Sequence, residues 1–219
     1  KKIGYDVDRD FAPVTQLAST PLVLLAGNKS GAHNVKELIA LLKAKPDALS
    51  YGTSGNGTSQ HLTTLMMLNR IGAKAVHVPY KGSSQSLVDL AGNQIDMQFD
   101  NMTTALAFAK NGQAKALAVT SLARSPLQPE LPTLAEAGVP GFEAVTWLGL
   151  LAPANTPPAV VNWLNKEVVS VLESPSVTSR LAAQGFTPKP MTPEAFRKFI
   201  QAETVKFSEL IKANNITID

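Results

Sequence analysis

The chain has 219 residues, of which 44% are hydrophobic and 17% are charged, and this length suffices for one large domain or two small ones with buried cores. It contains no cysteine, which excludes disulfides, Cys-based zinc sites and thiol nucleophiles. The net charge is only +3 with the basic residues scattered, which argues against nucleic-acid binding, and no apolar run approaches the ~18 residues of a membrane span.

Short apolar strands alternate with amphipathic helices through the first part of the chain. The first strand region, Val14 to Ala26, is interrupted by Ser19-Thr20-Pro21. Asn34 and Glu37 have the spacing of a capping box and open a helix that ends before Pro46. We then predict strands at 49–52, 75–79, 95–99 and 115–120, and helices at 59–71, 83–91 and 101–110. This alternation predicts an α/β fold with a doubly wound, mostly parallel sheet.

The pattern changes in the last hundred residues. Residues 121–141 are rich in proline and loops, with one helical turn predicted from Thr133. An apolar strand, Ala144 to Ala152, contains Trp147, which we expect in the core or on a cleft wall. Three helices follow at 157–173, 175–184 and 193–213, each beginning with a proline after Thr or Ser.

The segment from Tyr51 to Leu62 carries the strongest chemical signal. Between a strand and a helix it holds three glycines and small polar residues. Free N–H groups at the start of a helix, together with the helix dipole, form an anion site. We therefore predict that a carboxylate or phosphate binds at Ser54, Gly55, Asn56, Gly57 and Thr58. A flexible polar turn is the alternative interpretation.

Sharper motifs are absent from this segment. A phosphate-binding Walker loop needs Lys where Thr58 stands, a dinucleotide fingerprint needs Gly at Gln60, and a serine-hydrolase elbow needs Gly at Asn56. The three histidines, at 33, 61 and 77, lack ligand-like spacing, so we predict no metal site, no cofactor and no catalytic residue. His61, one turn into the helix, is expected to form hydrogen bonds near the pocket or to pack the helix.

Two further strand-to-helix loops contain Tyr80 and the pair Asp100 and Asn101. Loops at the carboxyl ends of parallel strands meet at one edge of a sheet, where open α/β proteins bind ligands. We therefore add His61, Tyr80, Asp100 and Asn101 to the predicted ligand-binding residues. Asp100 is expected either to cap its helix or to accept a ligand N–H or O–H.

Several segments in this order resemble one known family. They are Tyr51–Gly57 with His61-Leu62, His77–Gly82 with Asp89-Leu90, Ala116–Thr120, Leu131–Gly138 and Trp147–Pro153. The combination resembles the solute receptors of tripartite tricarboxylate transporters, the TctC or Bug family, from Asp10 to near the C-terminus. No single segment is specific, but the ordered set is.

This resemblance implies a two-domain periplasmic-binding-protein type II fold hinged around a cleft. It implies a periplasmic receptor, not an enzyme, that takes up a small carboxylate (a dicarboxylate, amino acid or aromatic acid) and delivers it to two integral-membrane subunits. Family members begin with a strand, a Pro-Gly-Gly loop and a βα unit that do not precede Lys1. We therefore expect an incomplete domain 1, formed by 1–22 and 147–219, and a whole domain 2 at 23–146.

Two other classes remain open at this stage. A small-molecule hydrolase or transferase using Ser54 or His61 needs a base and an orienting acid, and no such constellation is visible in the sequence. The effector domain of a transcription regulator shares the two-domain architecture but needs an adjoining helix-turn-helix. Chromogenic esters would test the first class, and the upstream coding sequence would test the second.

Overall fold

The structure is a computed structural model that describes residues 4–217. Within them the chain forms eight helices and seven strands, besides a 3-10 turn at Asn28–Ser30. The helices are α1 Val7–Asp10, α2 Val35–Ala44, α3 Ser59–Ile71, α4 Ser83–Ala91, α5 Met102–Lys110, α6 Pro158–Leu172, α7 Pro175–Ala183 and α8 Pro193–Ala213. The strands are β1 Phe11–Ala26, β2 Ser50–Thr53, β3 Val76–Pro79, β4 Met97–Asn101, β5 Lys115–Val119, β6 Val145–Pro153 and β7 Thr187–Pro188.

The described chain divides into two compact units. Unit 1 contains the residues up to Thr20 together with Thr146–Glu209. Unit 2 contains Pro21–Val145 together with the described residues from Leu210 onward. Strand β1 begins in the first unit and ends in the second.

The sheet of unit 2 has the strand order β3-β2-β4-β1-β5. Strand β2 runs parallel to β3 and β4, whereas β1 runs antiparallel to both β4 and β5. Four strands therefore share one direction, and β1 lies among them with the opposite one. The predicted α/β class is confirmed, but the sheet is mixed, because the alternation of strands and helices does not encode the direction of the first strand.

Helices cover both faces of this sheet. On one face Leu38 of α2 and Met67 of α3 belong to a buried cluster with Leu24. On the other face Leu87 of α4 and residues of α5 belong to a second cluster with Val23 and its neighbours. Successive residues of a strand point to opposite faces, so the apolar run of β1 supplies both cores.

The predicted interruption of the first strand is wrong. Strand β1 is continuous over 16 residues and includes Ser19-Thr20-Pro21. Ser19 pairs with Thr187 of β7, and pairing with β4 begins at Leu22. Proline has a φ compatible with extended backbone, so Pro21 lies within a strand that changes partners at this point.

Helix ends follow the predicted signals closely. The bounds of α3, α4 and α8 match the prediction, and Gly72 ends α3 with a left-handed φ of 65°. The Asn34 side chain accepts the Glu37 N–H at the start of α2. At Thr133 the capping bonds to Glu136 form in both directions, and the Ala137 N–H donates to the Thr133 carbonyl at 3.0 Å, so the predicted single helical turn is confirmed. Pro158, rather than Pro157, is the first residue of α6.

Unit 1 has a small core. Val14, Ala152 and Val161 form its buried apolar cluster, and the first half of β1 pairs with β6 and β7. Trp147 contacts the rings of Phe196 and Phe199, with centroids 5.9 Å and 5.3 Å away. Its indole N–H donates to Glu203 Oε2 at 3.1 Å, so Trp147 packs within this unit.

Candidate functional site

Three loops follow the carboxyl ends of β2, β3 and β4 in unit 2, and the structure brings them into contact. The Tyr80 N–H donates to the carbonyl of Thr53 at 3.0 Å. The carbonyl oxygen of Tyr80 lies 3.5 Å from the position that a Cβ on Gly55 would occupy. Gln60, in the first turn of α3, donates through Nε2 to Asp100 Oδ2 at 3.1 Å. The predicted convergence of these loops is therefore present.

The loop at 54–58, which we call the β2–α3 loop, owes its shape to two glycines. Gly55 and Gly57 have φ of 128° and 72°, which residues with a Cβ rarely adopt. The Thr58 hydroxyl donates to the Gly55 carbonyl at 2.8 Å and does not cap α3. The first turn of α3 is therefore left without a capping side chain from Thr58, which keeps its N–H groups available.

Three amides of the β2–α3 loop are bound by the protein's own side chains. The N–H of Ser54 donates to Gln60 Oε1 at 2.7 Å, that of Gly55 to Thr53 Oγ1 at 3.2 Å, and that of Gly57 to His61 Nδ1 at 3.1 Å. The sequence-based prediction assigned these amides to a carboxylate. The donors that remain for an anion are the Ser54 hydroxyl, the exposed Asn56 and the first turn of α3.

Asp100 is fully buried at the end of β4 without a cationic partner among the described residues. Its Oδ2 accepts from Gln98 Nε2 at 2.6 Å as well as from Gln60, and its Oδ1 accepts the Asn101 N–H at 2.6 Å. Burial raises the pKa of the Asp100 carboxyl, and the N–H donors of Asn101, Gln98 and Gln60 oppose that rise. Gln60 thus joins the β2–α3 loop to a buried acid.

The side chain of Tyr80 is bonded within the protein, whereas that of Asn101 makes no capping bond. The Tyr80 hydroxyl donates to Asp89 Oδ2 of α4 at 2.7 Å. Burial, with the Asp89 bond, raises the pKa of Tyr80 to about 12. Asn101 is exposed and is the N-cap residue of α5, but its side chain makes no capping bond. Asp100 is therefore not the cap of this helix.

Two histidines stack beside the β2–α3 loop. The rings of His61 and His77 have centroids 4.0 Å apart and planes inclined by 12°, and Tyr51 stacks on His77 at 4.9 Å. His77 Nε2 lies 2.7 Å from Thr53 Oγ1. Burial lowers the pKa of His61, and burial together with the neighbouring His61 lowers the pKa of His77 to about 4.

In the described part of the chain, Ser54 and His61 do not form the nucleophile–base pair that the hydrolase alternative requires. Within residues 4–217 the Ser54 hydroxyl makes no hydrogen bond to either His61 or His77, and His61 Nδ1 is occupied by the Gly57 N–H. The same part of the chain has no group of three His, Asp or Glu side chains arranged for a metal ion. None of its helices is long and apolar enough to cross a membrane.

Comparison with known proteins identifies the family. Residues 1–216 match the family described as "Tripartite tricarboxylate transporter family receptor". The chain belongs to this receptor family. The resemblance seen in the sequence is thereby confirmed, as is its assignment to a family of receptors rather than of enzymes.

Two curated relatives in the receptor family are longer than this chain. It is 37% identical over 211 residues to a protein from the tcbD–tcbE intergenic region of Pseudomonas sp. strain P51, covering 96% of this chain and 63% of that protein. It is 35% identical over 210 residues to BugT of Bordetella pertussis, covering 96% and 64%. The chain therefore spans somewhat less than two thirds of the length of these relatives.

Two solved structures, each with a bound dicarboxylate, share the fold. Rpa4515 of R. palustris with adipate has a TM-score of 0.87 and 34% identity, covering 99% of this chain and 73% of that one. MatC of Rhodopseudomonas palustris with bound malate has a TM-score of 0.80 and 29% identity, covering 96% and 73%. The predicted fold class, that of periplasmic receptors of this type, is confirmed by these likenesses.

Sequence reasoning missed the residues that hold the loops of this site together. Gln60, Gln98 and His77 were not among the predicted site residues, yet Gln60 and Gln98 bind Asp100 and His77 stacks on His61. One signal was available for Gln98. It precedes Asp100 by two residues in the same strand, so both side chains share one face.

Proposed function

We propose that the chain is part of a periplasmic receptor that binds a small organic carboxylate and delivers it to the two integral-membrane subunits of a tripartite tricarboxylate-type transporter. Membership of the receptor family supports this role, and related receptors carry adipate and malate. A dicarboxylate is therefore the ligand class we favour over amino acids and aromatic acids.

The proposed carboxylate site is the β2–α3 loop with its neighbours. The observation that supports this site is a set of uncharged hydrogen-bond donors that the loop's internal hydrogen bonds do not use. The Ser54 hydroxyl, the Asn56 amides and the uncapped first turn of α3 can all donate to an anion. Gly55, Gly57 and Thr58 shape the loop, while His61, Tyr80, Asp100 and Asn101 surround it.

Neutral donors replace an arginine in this proposal. No Lys or Arg lies between Thr53 and His61, and a bidentate arginine is the common solution elsewhere. Asp100 is buried and bonded to three N–H donors, so its oxygens are already satisfied rather than turned toward an incoming anion. The helix dipole of α3, which has 13 residues, favours negative charge at the loop.

Calorimetric titration tests the proposal with adipate and malate, each against its neutral diamide. Binding of the acids but not of the diamides is the expected result, because the diamides keep the shape and lose the charge. Asn56→Asp places a like charge in the loop and should weaken binding at least about tenfold. Asn162→Asp makes the same charge change on the exposed surface of α6 and should leave binding unchanged.

Two results would contradict the proposal. One is the absence of binding by any aliphatic mono- or dicarboxylate in a folded sample. The other is a bound-state structure in which the carboxylate is held by Arg70 or Arg124 instead of the β2–α3 loop.

A further inference from the structure

The stacked histidines beside the β2–α3 loop have no role in the chemistry described so far. His61 is 6% exposed, and its Nδ1 accepts a hydrogen bond from the Gly57 N–H. A ring nitrogen that accepts carries no proton, so neutral His61 holds its proton on Nε2. The shape of the loop at Gly57 therefore depends on the protonation state of one imidazole.

His77 supports the other end of the same loop. It lies on β3 opposite Tyr51 in the β2 register, and its Nε2 is 2.7 Å from Thr53 Oγ1. That hydroxyl in turn accepts the Gly55 N–H and contacts the Gly55 carbonyl, each at 3.2 Å. The two rings thus reach both glycines that give the loop its shape.

We propose that His61 and His77 are positioning residues of the carboxylate site, and that they hold the β2–α3 loop in its binding shape only while the His61 ring is neutral. This inference rests on the proposed function. The residues act through Gly57 and Thr53 rather than by touching the ligand.

Acid should release the loop for a geometric reason. A proton on His61 Nδ1 would face the Gly57 N–H across 3.1 Å, so a donor would meet a donor and the bond would be lost. With centroids 4.0 Å apart, a charge on one ring also opposes protonation of the other.

The described residues around the histidine pair do not compensate for the loss of the Gly57 hydrogen bond on protonation. Tyr51, stacked on His77, has a pKa that burial raises, so it stays neutral. Among the described residues no carboxylate bonds to either ring. The nearest acid in the hydrogen-bond network is Asp100, which is joined to the loop through Gln60 and the Ser54 N–H. A protonated ring would therefore find no anionic partner.

Two-dimensional ¹H–¹⁵N NMR of the whole chain between pH 7.5 and 5.0 tests the positioning role without a ligand. The His61 ¹⁵N signals should identify Nδ1 as the unprotonated nitrogen at pH 7.5. The Gly57 amide should shift with the same midpoint as His61. A proton on Nδ1 at pH 7.5, or a Gly57 amide that stays unchanged while His61 titrates, would overturn the inference.

Binding of adipate and of malate over the same pH range gives the second readout. His61→Asn offers a side-chain acceptor that cannot be protonated in this range. The wild-type dissociation constant should rise between pH 7.5 and 5.0 by roughly three- to tenfold more than that of His61→Asn, because the competent population falls. The ligand's own ionisation cancels in this comparison.

His33→Gln is the matched control, since it replaces an exposed histidine outside the pair. Its pH profile should equal that of the wild type. Equal profiles for the wild type and His61→Asn would overturn the inference while leaving the proposed function intact. If the wild type binds neither acid at pH 7.5, those ligands are wrong for the proposed function, and the NMR titration still decides the positioning role.

Discussion

At the scale of single residues, Ser54 offers the most direct test of the carboxylate site. Its hydroxyl makes no hydrogen bond within the described residues, so Ser54→Ala should leave folding nearly unchanged. A hydrogen bond to a charged group contributes about 1.5–3 kcal/mol, so affinity for a bound dicarboxylate should fall roughly ten- to a hundredfold. Calorimetry measures this loss, with Ser170→Ala on the exposed side of α6 as the control. Unchanged affinity in a folded variant would mean that Ser54 only shapes the turn.

Because Asp100 is buried, we expect the free energy of unfolding to depend on pH. Burial raises its pKa in the folded state, so the folded protein holds this proton more strongly than the unfolded chain does. Its contribution to stability is therefore present below the unfolded pKa of about 4 and is lost as the pH rises through the folded pKa.

Replacing Asp100 should remove that dependence. In urea titrations from pH 4 to pH 7, the free energy of unfolding of Asp100→Asn should rise relative to that of the wild type as the pH increases. Asp8→Asn, which changes an exposed carboxyl, is the control. A difference between Asp100→Asn and the wild type that stays constant with pH would show that the Asp100 carboxyl titrates alike in both states.

At the scale of elements, β2 packs closely against α4 because Gly52 has no side chain. A Cβ on Gly52 would overlap Ile95 Cδ1 and lie 2.9 Å from Ser86 Cβ of α4. Gly52→Ala should therefore lower the free energy of unfolding by about 1–3 kcal/mol, the usual cost of overpacking a core. Gly4→Ala, with no atom within 4 Å of the added Cβ, is the control. Equal stability of the two variants in urea would contradict this close contact.

Elements with strong local signals were predicted well from the sequence. Gly72 stops α3, and Ser174-Pro175 and Thr192-Pro193 mark the starts of α7 and α8, because caps and breakers act within a few residues. Local signals could not show that β1 continues through Pro21 or that it pairs antiparallel with its neighbours, since both depend on strands far along the chain. In the candidate site, too, local features could be predicted and long-range contacts could not.

The β2–α3 loop could be located from its glycines, but its internal bonds could not. Gln60 meets Asp100 across 40 positions and His61 meets His77 across 16, and sequence spacing does not encode such contacts. For the same reason the prediction left the loop amides free for a ligand, whereas the folded chain binds three of them. Polar residues at buried strand positions, such as Gln98, are the signal to follow in such chains.

At the scale of the whole molecule, the two units differ in how much apolar surface they bury. Seven of the eleven large hydrophobic side chains that the described residues expose belong to unit 1, although it is the smaller unit. They are Tyr5, Val7, Leu148, Val160, Trp163, Val171 and Val205. Its buried apolar cluster has only three members, whereas the two clusters of unit 2 have nineteen and ten. Burial of apolar area is the main source of stability, so unit 1 should be the weaker unit and the source of association.

Both tryptophans, Trp147 and Trp163, lie in unit 1, which allows its unfolding to be followed alone. In urea the tryptophan fluorescence should change at lower denaturant than most of the far-UV circular dichroism, because the circular dichroism also reports the helices of unit 2. The apparent molar mass measured by light scattering should rise with protein concentration, since exposed apolar patches promote association. Trp163→Ser should reduce that rise in apparent molar mass without shifting the later transition. Val88→Ser, an exposed change in unit 2, should not reduce it. Coincident transitions from both probes, in a sample that stays monomeric, would show that the two units unfold as one.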